Sequence, residues 1–293
     1  MNGEPTGART VAERLRGQFD TLTRAERQLA GLILENYPVS GLGSITAIAE
    51  AAGVSTPTAA RMARKLGFDG FPGLQAALRA ELEATLSSPM AKHDSWAGLA
   101  PEAHILNRFA DAVTENLRQT LARIEPERFD AVAALLADRT RPLFVVGGRI
   151  TRALADYLST QMQVVRGGVT LLPPNANTWP HQLLSMGAGD VLVVFDIRRY
   201  EQEILRLAEM ATERGVTLVV LTDQWGSPAT RFAAQSLHAR VEAPSAWDST
   251  AVILFLVEAL VAAVQDADWD ETRARMTELE TLIDRTRMFR KFV

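Results

Sequence analysis

An acidic residue and two basic residues follow directly on an apolar run in the middle of the chain. The run VLVVF ends at Phe195, and Asp196, Arg198 and Arg199 come after it. Buried β-branched runs of this length are typical of parallel sheets, and ligands bind at the carboxyl ends of such strands. Because guanidinium groups bind carboxylates and phosphates through paired, charged hydrogen bonds, the stretch predicts a site for a small anion.

A short basic segment nearer the N-terminus has the residue pattern of a DNA-reading helix. Between residues 55 and 67 there are three basic residues and no acidic one, although the chain carries a formal net charge of −4. The segment ITAIAEAAGVSTPTAARMAR has helix-turn-helix spacing, with Gly53 in the turn, Pro57 in the first turn of the second helix, and Ala59 and Met62 facing inward. The outer face of such a helix contacts base edges and phosphates. The predicted DNA-contacting residues are Ser55, which also caps the helix, Thr56, Thr58, Arg61, Arg64 and Lys65.

The composition excludes several classes of function. The chain has no cysteine, which excludes disulfides, thiol catalysis and thiolate metal sites, and its four histidines form no metal-binding pattern. The longest apolar run, at 251–264, is too short to span a bilayer and contains Glu258, and the N-terminus lacks the apolar core of a signal peptide. We therefore expect a cytoplasmic protein without a metal, a cofactor or membrane contact.

Apolar periodicity divides the chain into a helical part and an α/β part. Residues 10–86 show repeated helical stripes, whereas five short β-branched runs separated by helical segments begin at residue 142. The predicted fold is an all-α helix-turn-helix domain over 1–86, a linker over 87–103, and an α/β domain with a five-stranded parallel sheet over 104–293. Long helices at 103–123 and 269–289, the second with Met276, Leu279 and Ile283 in line, are candidates for an interface between copies.

The helical part carries a specific resemblance to a known family. LTRAERQLAGLILENYPV, followed by SITAIAEAAGVSTPTAARMARKLGFDGFPGLQAAL, resembles the N-terminal domain of the MurR/RpiR family of bacterial transcription regulators over about residues 10–85. On spacing alone a solvated basic helix in a bundle stays an alternative. The resemblance implies binding to double-stranded operator DNA as a homodimer or homotetramer, because one helix-turn-helix covers only a half-site.

In that family the second domain is a SIS domain, a sugar-phosphate-binding fold, and residues 105–265 resemble it in layout. The resemblance implies a doubly wound sheet of strand order 2-1-3-4-5. It also implies two ligand loops, Gly-x-Gly-x-Ser after the first strand and a Ser/Thr-rich loop after the third. This chain departs at both loops, because arginine replaces the second glycine and an acid with two arginines replaces the hydroxyls. The predicted effector-binding residues are Gly147, Arg149, Thr151, Asp196, Arg198, Arg199, Ser245 and Ser249, with Asp248 between the last two.

Three interpretations of the altered loops stay open. The arginines bind an anionic effector, a sugar phosphate or a sugar acid, while Asp196 orients a guanidinium or accepts a sugar hydroxyl. Alternatively, Asp196 pairs with Arg149 and fills a pocket that no longer binds phosphate, or the arginines belong to a subunit interface. Ser245 has a second possible role as a helix cap.

The predicted function is a DNA-binding transcription regulator whose SIS-like domain senses a small anionic metabolite and thereby controls operator binding. A phosphosugar isomerase-like enzyme with a helical appendage is the alternative. Isomerisation needs a base near the substrate C–H bond and usually a partner acid. Neither Glu258 nor His181 belongs to a recognisable catalytic spacing, so we predict no catalytic residue.

Overall fold

The structure is a computed structural model that describes residues 9–88, 90–92 and 104–286. Most of the predicted linker, at 89 and 93–103, and the C-terminal residues 287–293 lie outside the described residues. No described residue between 9 and 88 belongs to a β-strand, so the predicted all-α character of this part is confirmed. Among the described residues there is no helix whose length and apolar character would let it span a bilayer.

The helical part folds around one apolar cluster. Its α-helices are α1 (Val11–Gly17), α2 (Arg24–Glu35), α3 (Ile45–Ala51), α4 (Thr56–Lys65) and α5 (Gly70–Leu86). The first three begin after a hydroxyl cap, because the side chains of Thr10, Thr23 and Ser44 each accept a hydrogen bond from a backbone N–H one turn further on. Leu29 of α2 and Met62 of α4 lie in the shared core, which fixes the orientation of α4.

The C-terminal part is a parallel sheet with helices on both faces. The strands are β1 (Leu143–Gly147), β2 (Val169–Leu171), β3 (Val191–Asp196), β4 (Thr217–Asp223) and β5 (Gln235–Ala239). They pair in parallel in the order β2-β1-β3-β4-β5, which confirms the predicted fold class. The helices are α6 (Ile105–Leu121), α7 (Pro126–Ala137), α8 (Arg152–Val165), α9 (Trp179–Leu184), α10 (Gln202–Glu213), α11 (Ala251–Ala267) and α12 (Trp269–Thr286).

Both faces of the sheet are buried, which explains the continuous apolar runs in the sequence. Val145 and Val193 pack into a core with α7, α8 and α11, while Val146 and Val194 pack into a second core with α9 and α10. Successive side chains of a strand point to opposite faces, so a doubly covered strand has no polar positions. The order of the strands reverses between β1 and β3, and the crevice at their carboxyl ends is where such sheets bind ligands.

The segment before α11 differs from the sequence prediction. The helical pattern of the sequence predicts a helix over 247–265, but α11 begins only at Ala251. The backbone N–H of Ser249 donates to the carbonyl of Val241 at 2.7 Å, and the hydroxyl of Ser245 accepts from the N–H of Trp247 at 3.2 Å. These bonds fold residues 245–249 back toward the sheet, so the segment forms part of a wall at the carboxyl edge instead of a helical turn.

The helical part lies against the carboxyl edge of the sheet through buried charged groups. Glu13 of α1 pairs with Arg240 at 2.7 Å and with Arg123 at 3.4 Å. At the other end of the contact, Arg198 Nη1 donates to the carbonyl of Ala84, in the last turn of α5, at 2.7 Å. Because Arg240 follows β5 and Arg198 follows β3, the same edge of the sheet that offers a ligand crevice also holds the helix-turn-helix part.

Candidate functional site

Helix α4 has the local geometry that the helix-turn-helix spacing predicts. The hydroxyl of Ser55 accepts from the N–H of Thr58 at 3.4 Å and so caps the helix. Gly53 adopts a φ of +65° in the turn between α3 and α4, a conformation that side chains with a Cβ disfavour. Ala59 and Met62 are buried against the rest of the helical part. The opposite face of α4 is therefore directed outward.

Fewer of the predicted DNA-contacting side chains are exposed on α4 than the sequence predicts. Arg61 and Arg64 are exposed, whereas Thr58 is only 8% exposed and its hydroxyl lies 2.9 Å from that of Ser55, so Thr58 offers little surface to DNA. The Lys65 ammonium donates to the carbonyl of Thr21 at 2.6 Å, which holds it against its own domain. Arg61 makes a comparable internal contact, since its Nη2 donates to the Thr58 hydroxyl at 3.2 Å, and all three cations of α4 are exposed.

A cavity of about 150 Å³ opens at the carboxyl ends of β1 and β3. Its walls come from the loops after these two strands, from the folded segment before α11, and from the residues at and beyond the end of α5. The lining residues are Ser87, Lys92, Arg149, Ile150, Thr151, Asp196, Ile197, Arg198, Arg199, Glu201, Ala246, Trp247, Asp248 and Thr250. Five of the eight predicted effector residues therefore line one cavity. The three that do not are Gly147, Ser245 and Ser249.

The first loop is held in place by close backbone packing. A Cβ atom on Gly147 would lie 2.5 Å from the carbonyl oxygen of Thr151, so only glycine fits there. The Thr151 hydroxyl donates to the carbonyl of Phe195 at 2.8 Å. Thr151 lines the cavity, but its hydroxyl hydrogen is used within the protein, so an anion there would have to compete with the Phe195 carbonyl. Gly147 does not line the cavity, and its role is to let the end of β1 approach the backbone at the start of α8.

Glu201 connects the two loops from the side of β3. Its carboxylate accepts from the backbone N–H of Arg149 at 2.7 Å, and a Cβ on Gly148 would lie 2.5 Å from the same oxygen. With its backbone fixed in this way, the exposed Arg149 guanidinium lies over the Trp247 ring at 5.9 Å from its centre. Glu201 and Trp247 were not predicted from the sequence, because neither belongs to the family loop motifs.

Asp196 does not pair with Arg149, so the predicted alternative of an internal Asp196–Arg149 ion pair is wrong. The buried Asp196 carboxylate instead accepts from the Ser227 hydroxyl and, at 3.5 Å, from the backbone N–H of Glu201. Burial raises the pKa of the Asp196 carboxyl to about 7, and the nearby charge of Asp223 acts in the same direction. The floor of the cavity therefore changes charge near neutral pH.

The two arginines of the second loop have different environments. The Arg198 side chain is only 6% exposed, lies over the Trp225 ring at 4.3 Å, and has its Nε 2.9 Å from an oxygen of Asp248. Arg199 is exposed and has a φ of +62°, which is rare for a residue with a side chain. Arg198 is thus a buried structural cation of the cavity wall, and Arg199 is a cation at its mouth.

Asp223, at the end of β4, organises the second loop and was missed by the sequence analysis. Its carboxylate accepts from the N–H of Arg198 at 2.7 Å, from the Tyr200 hydroxyl at 2.7 Å, and from the N–H groups of Trp225 and Gly226 at 3.0 and 3.1 Å. The sequence does carry one indication of its importance. Asp223 ends the fourth β-branched run in the same way as Asp196 ends the third. Asp223 is a positioning residue that does not itself line the cavity.

The two serines predicted for the rim are used in the local fold of the segment before α11. Ser245 and Ser249 do not line the cavity, and the Ser249 hydroxyl accepts from the N–H of Ala251 at 3.3 Å. Ser245 does not cap α11 either, because that helix begins six residues later. Asp248, which lies between them, faces the cavity together with Lys92 from the predicted linker.

The chain matches two protein-family models. Residues 9–85 match the helix-turn-helix domain of the rpiR family, and residues 135–263 match the SIS domain. The HTH-type transcriptional regulator HexR of Pseudomonas aeruginosa is 28% identical over 229 residues, which cover 76% of this chain and 76% of HexR. An HTH-type transcriptional regulator of Haemophilus influenzae is 22% identical over 231 residues, covering 76% of this chain and 77% of that protein.

Solved structures agree with these matches. The sugar isomerase domain of an RpiR transcription factor from Sphaerobacter thermophilus superposes with a TM-score of 0.56 at 25% identity, covering 60% of this chain and 97% of that one. The Vibrio vulnificus NanR protein, solved in complex with ManNAc-6P, shares the fold with a TM-score of 0.54 at 19% identity, covering 94% of this chain and 98% of NanR. With an rpiR-type helix-turn-helix domain followed by a SIS domain, this chain belongs to the RpiR family of transcription regulators.

Proposed function

We propose that this regulator binds operator DNA through α4 and adjusts that binding when a small anionic metabolite, a sugar phosphate or a sugar acid, enters the cavity beside β1 and β3. The observation that carries the proposal is the pair of exposed guanidiniums, Arg149 and Arg199, at the mouth of a crevice at the sheet's switch point. The loops at this crevice lack the serine hydroxyls that would bind an oxyanion. Guanidinium groups can bind it instead, through paired and charged hydrogen bonds.

The remaining walls suit the carbohydrate part of such a ligand. Asp196 and Glu201 offer carboxylate oxygens, which accept hydrogen bonds from hydroxyl groups. Trp247 is 49% exposed and presents a flat apolar surface beside Arg149. An anion with several hydroxyls and an apolar ring face can use all three kinds of group at once, whereas a bare inorganic anion uses only the guanidiniums.

We also propose that the chain is not an enzyme. Glu201 and Asp196 each accept a hydrogen bond from within the protein, from Arg149 and Ser227 respectively, which holds them as acceptors for ligand hydroxyls. HexR and the Haemophilus influenzae relative are transcription regulators. Isomerisation requires a base beside a substrate C–H bond together with a partner acid, and neither His181 nor Glu258 lines this cavity.

A homodimer or homotetramer is part of this proposal, because a single α4 reads only one half-site. Ile105 and Leu106 on α6 are exposed, and Met276, Leu279 and Ile283 on α12 are half-buried. Apolar side chains that a helix leaves at the surface are typical of association surfaces. Sedimentation should give an assembly of two or four chains, and a monomer at working concentrations would contradict the proposal.

A combined binding assay tests the function. Operator fragments are first selected from genomic DNA, and thermal-shift measurements then screen sugar phosphates and sugar acids, with ManNAc-6P as the first probe. We expect an anionic sugar to stabilise the protein and to change its operator affinity, while the uncharged parent sugar does neither. Arg149→Ala and Arg199→Ala should each weaken the response about tenfold or more, since charged hydrogen bonds contribute roughly 1.5–3 kcal/mol. Arg206→Ala, which removes an exposed arginine of α10, should not.

Two outcomes would contradict the proposed function. If phosphosugars are turned over and no DNA fragment is enriched, the isomerase alternative is correct. If the chain binds DNA but no anionic sugar changes its stability or its operator affinity, the effector part of the proposal is wrong.

The titration of Asp196 makes anion binding depend on pH. Its folded-state pKa of about 7 lies above the ordinary value of 3.8, so the folded protein holds this proton more tightly than the unfolded chain does. The stability from this group is thus present at low pH and is lost as the pH rises through about 7. We expect sulfate, whose charge is constant here, to bind several-fold more tightly at about pH 6 than at about pH 8.

The control for this prediction is Asp196→Asn, which should flatten the pH profile measured by calorimetry. Glu201 and Asp223 also lie near Asp196, and burial raises the pKa of Asp223 as well. If the variant keeps the full pH dependence, a group other than Asp196 controls the charge of the cavity floor.

A further inference from the structure

One carboxylate inside the cavity joins two cations that come from different parts of the chain. Asp248 pairs through one oxygen with the Lys92 ammonium and through the other with Arg198 Nε, which lies 2.9 Å away. Lys92 lies beyond the end of α5, whereas Arg198 follows β3. The Lys92 and Asp248 side chains are 8% and 14% exposed, and all three residues line the cavity.

Arg198 is balanced in charge but not fully hydrogen-bonded. Its Nη1 donates to the Ala84 carbonyl at 2.7 Å, yet Nε and Nη2 have no aligned hydrogen-bond acceptor among the described residues, although Asp248 and Glu242 lie within ion-pair distance. A buried guanidinium usually uses its donors fully, since an unsatisfied buried donor costs free energy. Two donor positions on this buried group are thus available to a better-placed acceptor in the cavity.

We infer that the anionic group of the effector binds between Lys92 and Arg198, in place of the Asp248 carboxylate. This inference rests on the proposed function: the exposed Arg149 and Arg199 attract the anion at the mouth of the cavity, and Lys92 with Arg198 holds it inside. A phosphate or sulfate group carries more acceptor oxygens than a carboxylate and can reach the ammonium and both open guanidinium positions together. Asp248 belongs to the folded segment before α11, which lies outside the helix and can move without unwinding it.

Lys92 belongs to the segment that leaves the DNA-binding domain after α5. Arg198 Nη1 already contacts the end of α5 at Ala84 and lies 3.4 Å from the Ser87 hydroxyl. An anion held by Lys92 and Arg198 would therefore bind both the SIS domain and the segment that leaves the DNA-binding domain. Exchange of Asp248 for the ligand changes the contacts that hold α5 against the sheet, so the effector has different affinities for different domain arrangements, as coupling requires.

Calorimetric titration of the full chain with inorganic phosphate tests the exchange. Asp248→Asn removes the internal competitor and should tighten phosphate binding about tenfold or more, because charged hydrogen bonds are the strong ones. Asp156→Asn, which removes an exposed acid from α8, is the matched control and should leave the affinity as in the wild type. Lys92→Gln should weaken phosphate binding about tenfold, whereas Arg206→Gln should not.

These outcomes decide the inference separately from the proposed function. Equal phosphate affinity of Asp248→Asn and Asp156→Asn, or of Lys92→Gln and Arg206→Gln, would overturn the exchange even if a sugar phosphate regulates the wild type. If Asp248→Asn does not fold, as circular dichroism would show, the Lys92→Gln pair decides alone. Tighter phosphate binding by Asp248→Asn would support the exchange even if the sugar screen finds no effector.

A distance measurement tests whether phosphate binding moves the DNA-binding domain relative to the SIS domain. Because the chain has no cysteine, Glu50→Cys and Glu209→Cys place two spin labels on exposed positions of α3 and α10. We expect saturating phosphate to change the distance distribution between them, and Asp248→Asn alone to shift it in the same direction. If saturating phosphate leaves the distribution of the otherwise wild-type chain unchanged, the anion does not act on the DNA-binding domain through Lys92.

Discussion

A chain in which Arg61 and Arg64 are both replaced by alanine should lose operator binding while keeping its fold. Both side chains are exposed on α4, and the helix is fixed by its Ser55 cap and its buried Met62, so they project in a defined direction. Arginine contacts to bases contribute about 1–3 kcal/mol each. Loss of four such contacts in a dimer corresponds to a decrease in affinity on the order of a thousandfold or more.

Electrophoretic retardation of a selected operator fragment, at one fixed salt concentration, measures the effect. Arg79→Ala is the control, because it removes an exposed arginine from α5 of the same domain. Circular dichroism and sedimentation should be unchanged in every variant. Operator affinity that stays within a few-fold of the wild type in the double variant would mean that α4 is not the recognition helix.

Replacement of Asp223 by alanine should be the most disruptive change at the effector cavity, although the residue does not line it. The buried carboxylate accepts four hydrogen bonds, and its loss leaves their donors without an acceptor in the protein interior. Since each unsatisfied buried donor costs about 1–3 kcal/mol and such costs are not additive, we expect a loss of roughly 3–5 kcal/mol in the free energy of unfolding. Sulfate binding should be lost as well, because the loop of Arg198 and Tyr200 is no longer held.

Urea unfolding and sulfate titration together measure both effects. Asp190→Ala is the matched control, since Asp190 accepts a backbone hydrogen bond, from Gly187 at 2.8 Å, at the opposite edge of the sheet. It should lower stability by about 1 kcal/mol and leave sulfate binding unchanged. If Asp223→Ala resembles this control in both measurements, the second loop is positioned by other contacts.

Features that depend only on residues close together in the sequence could be predicted from it. The Ser55 cap, the left-handed Gly53 and the inward Met62 follow from local conformational preferences, and the β-branched runs follow from burial on both faces of the sheet. The burial of Thr58 was predictable by the same rule, because it lies four residues before Met62 and therefore on the same face of α4. The SIS resemblance supplied the strand order, and with it the meeting of the loops after β1 and β3.

The charged contacts of the cavity were decided by tertiary structure alone. Lys92 and Asp248 are 156 positions apart, and Asp196 finds Ser227 on a loop that carries no motif. A long charged side chain can reach any of several partners, and the partner it meets depends on how whole helices and loops pack. The sequence by itself determined that arginine-bearing loops follow the first and third strands and that a separate helix-turn-helix segment carries a basic outer face. Only packing decided that Arg198 is neutralised by Asp248, because burial of a guanidinium requires a counter-charge and the fold placed that carboxylate within reach.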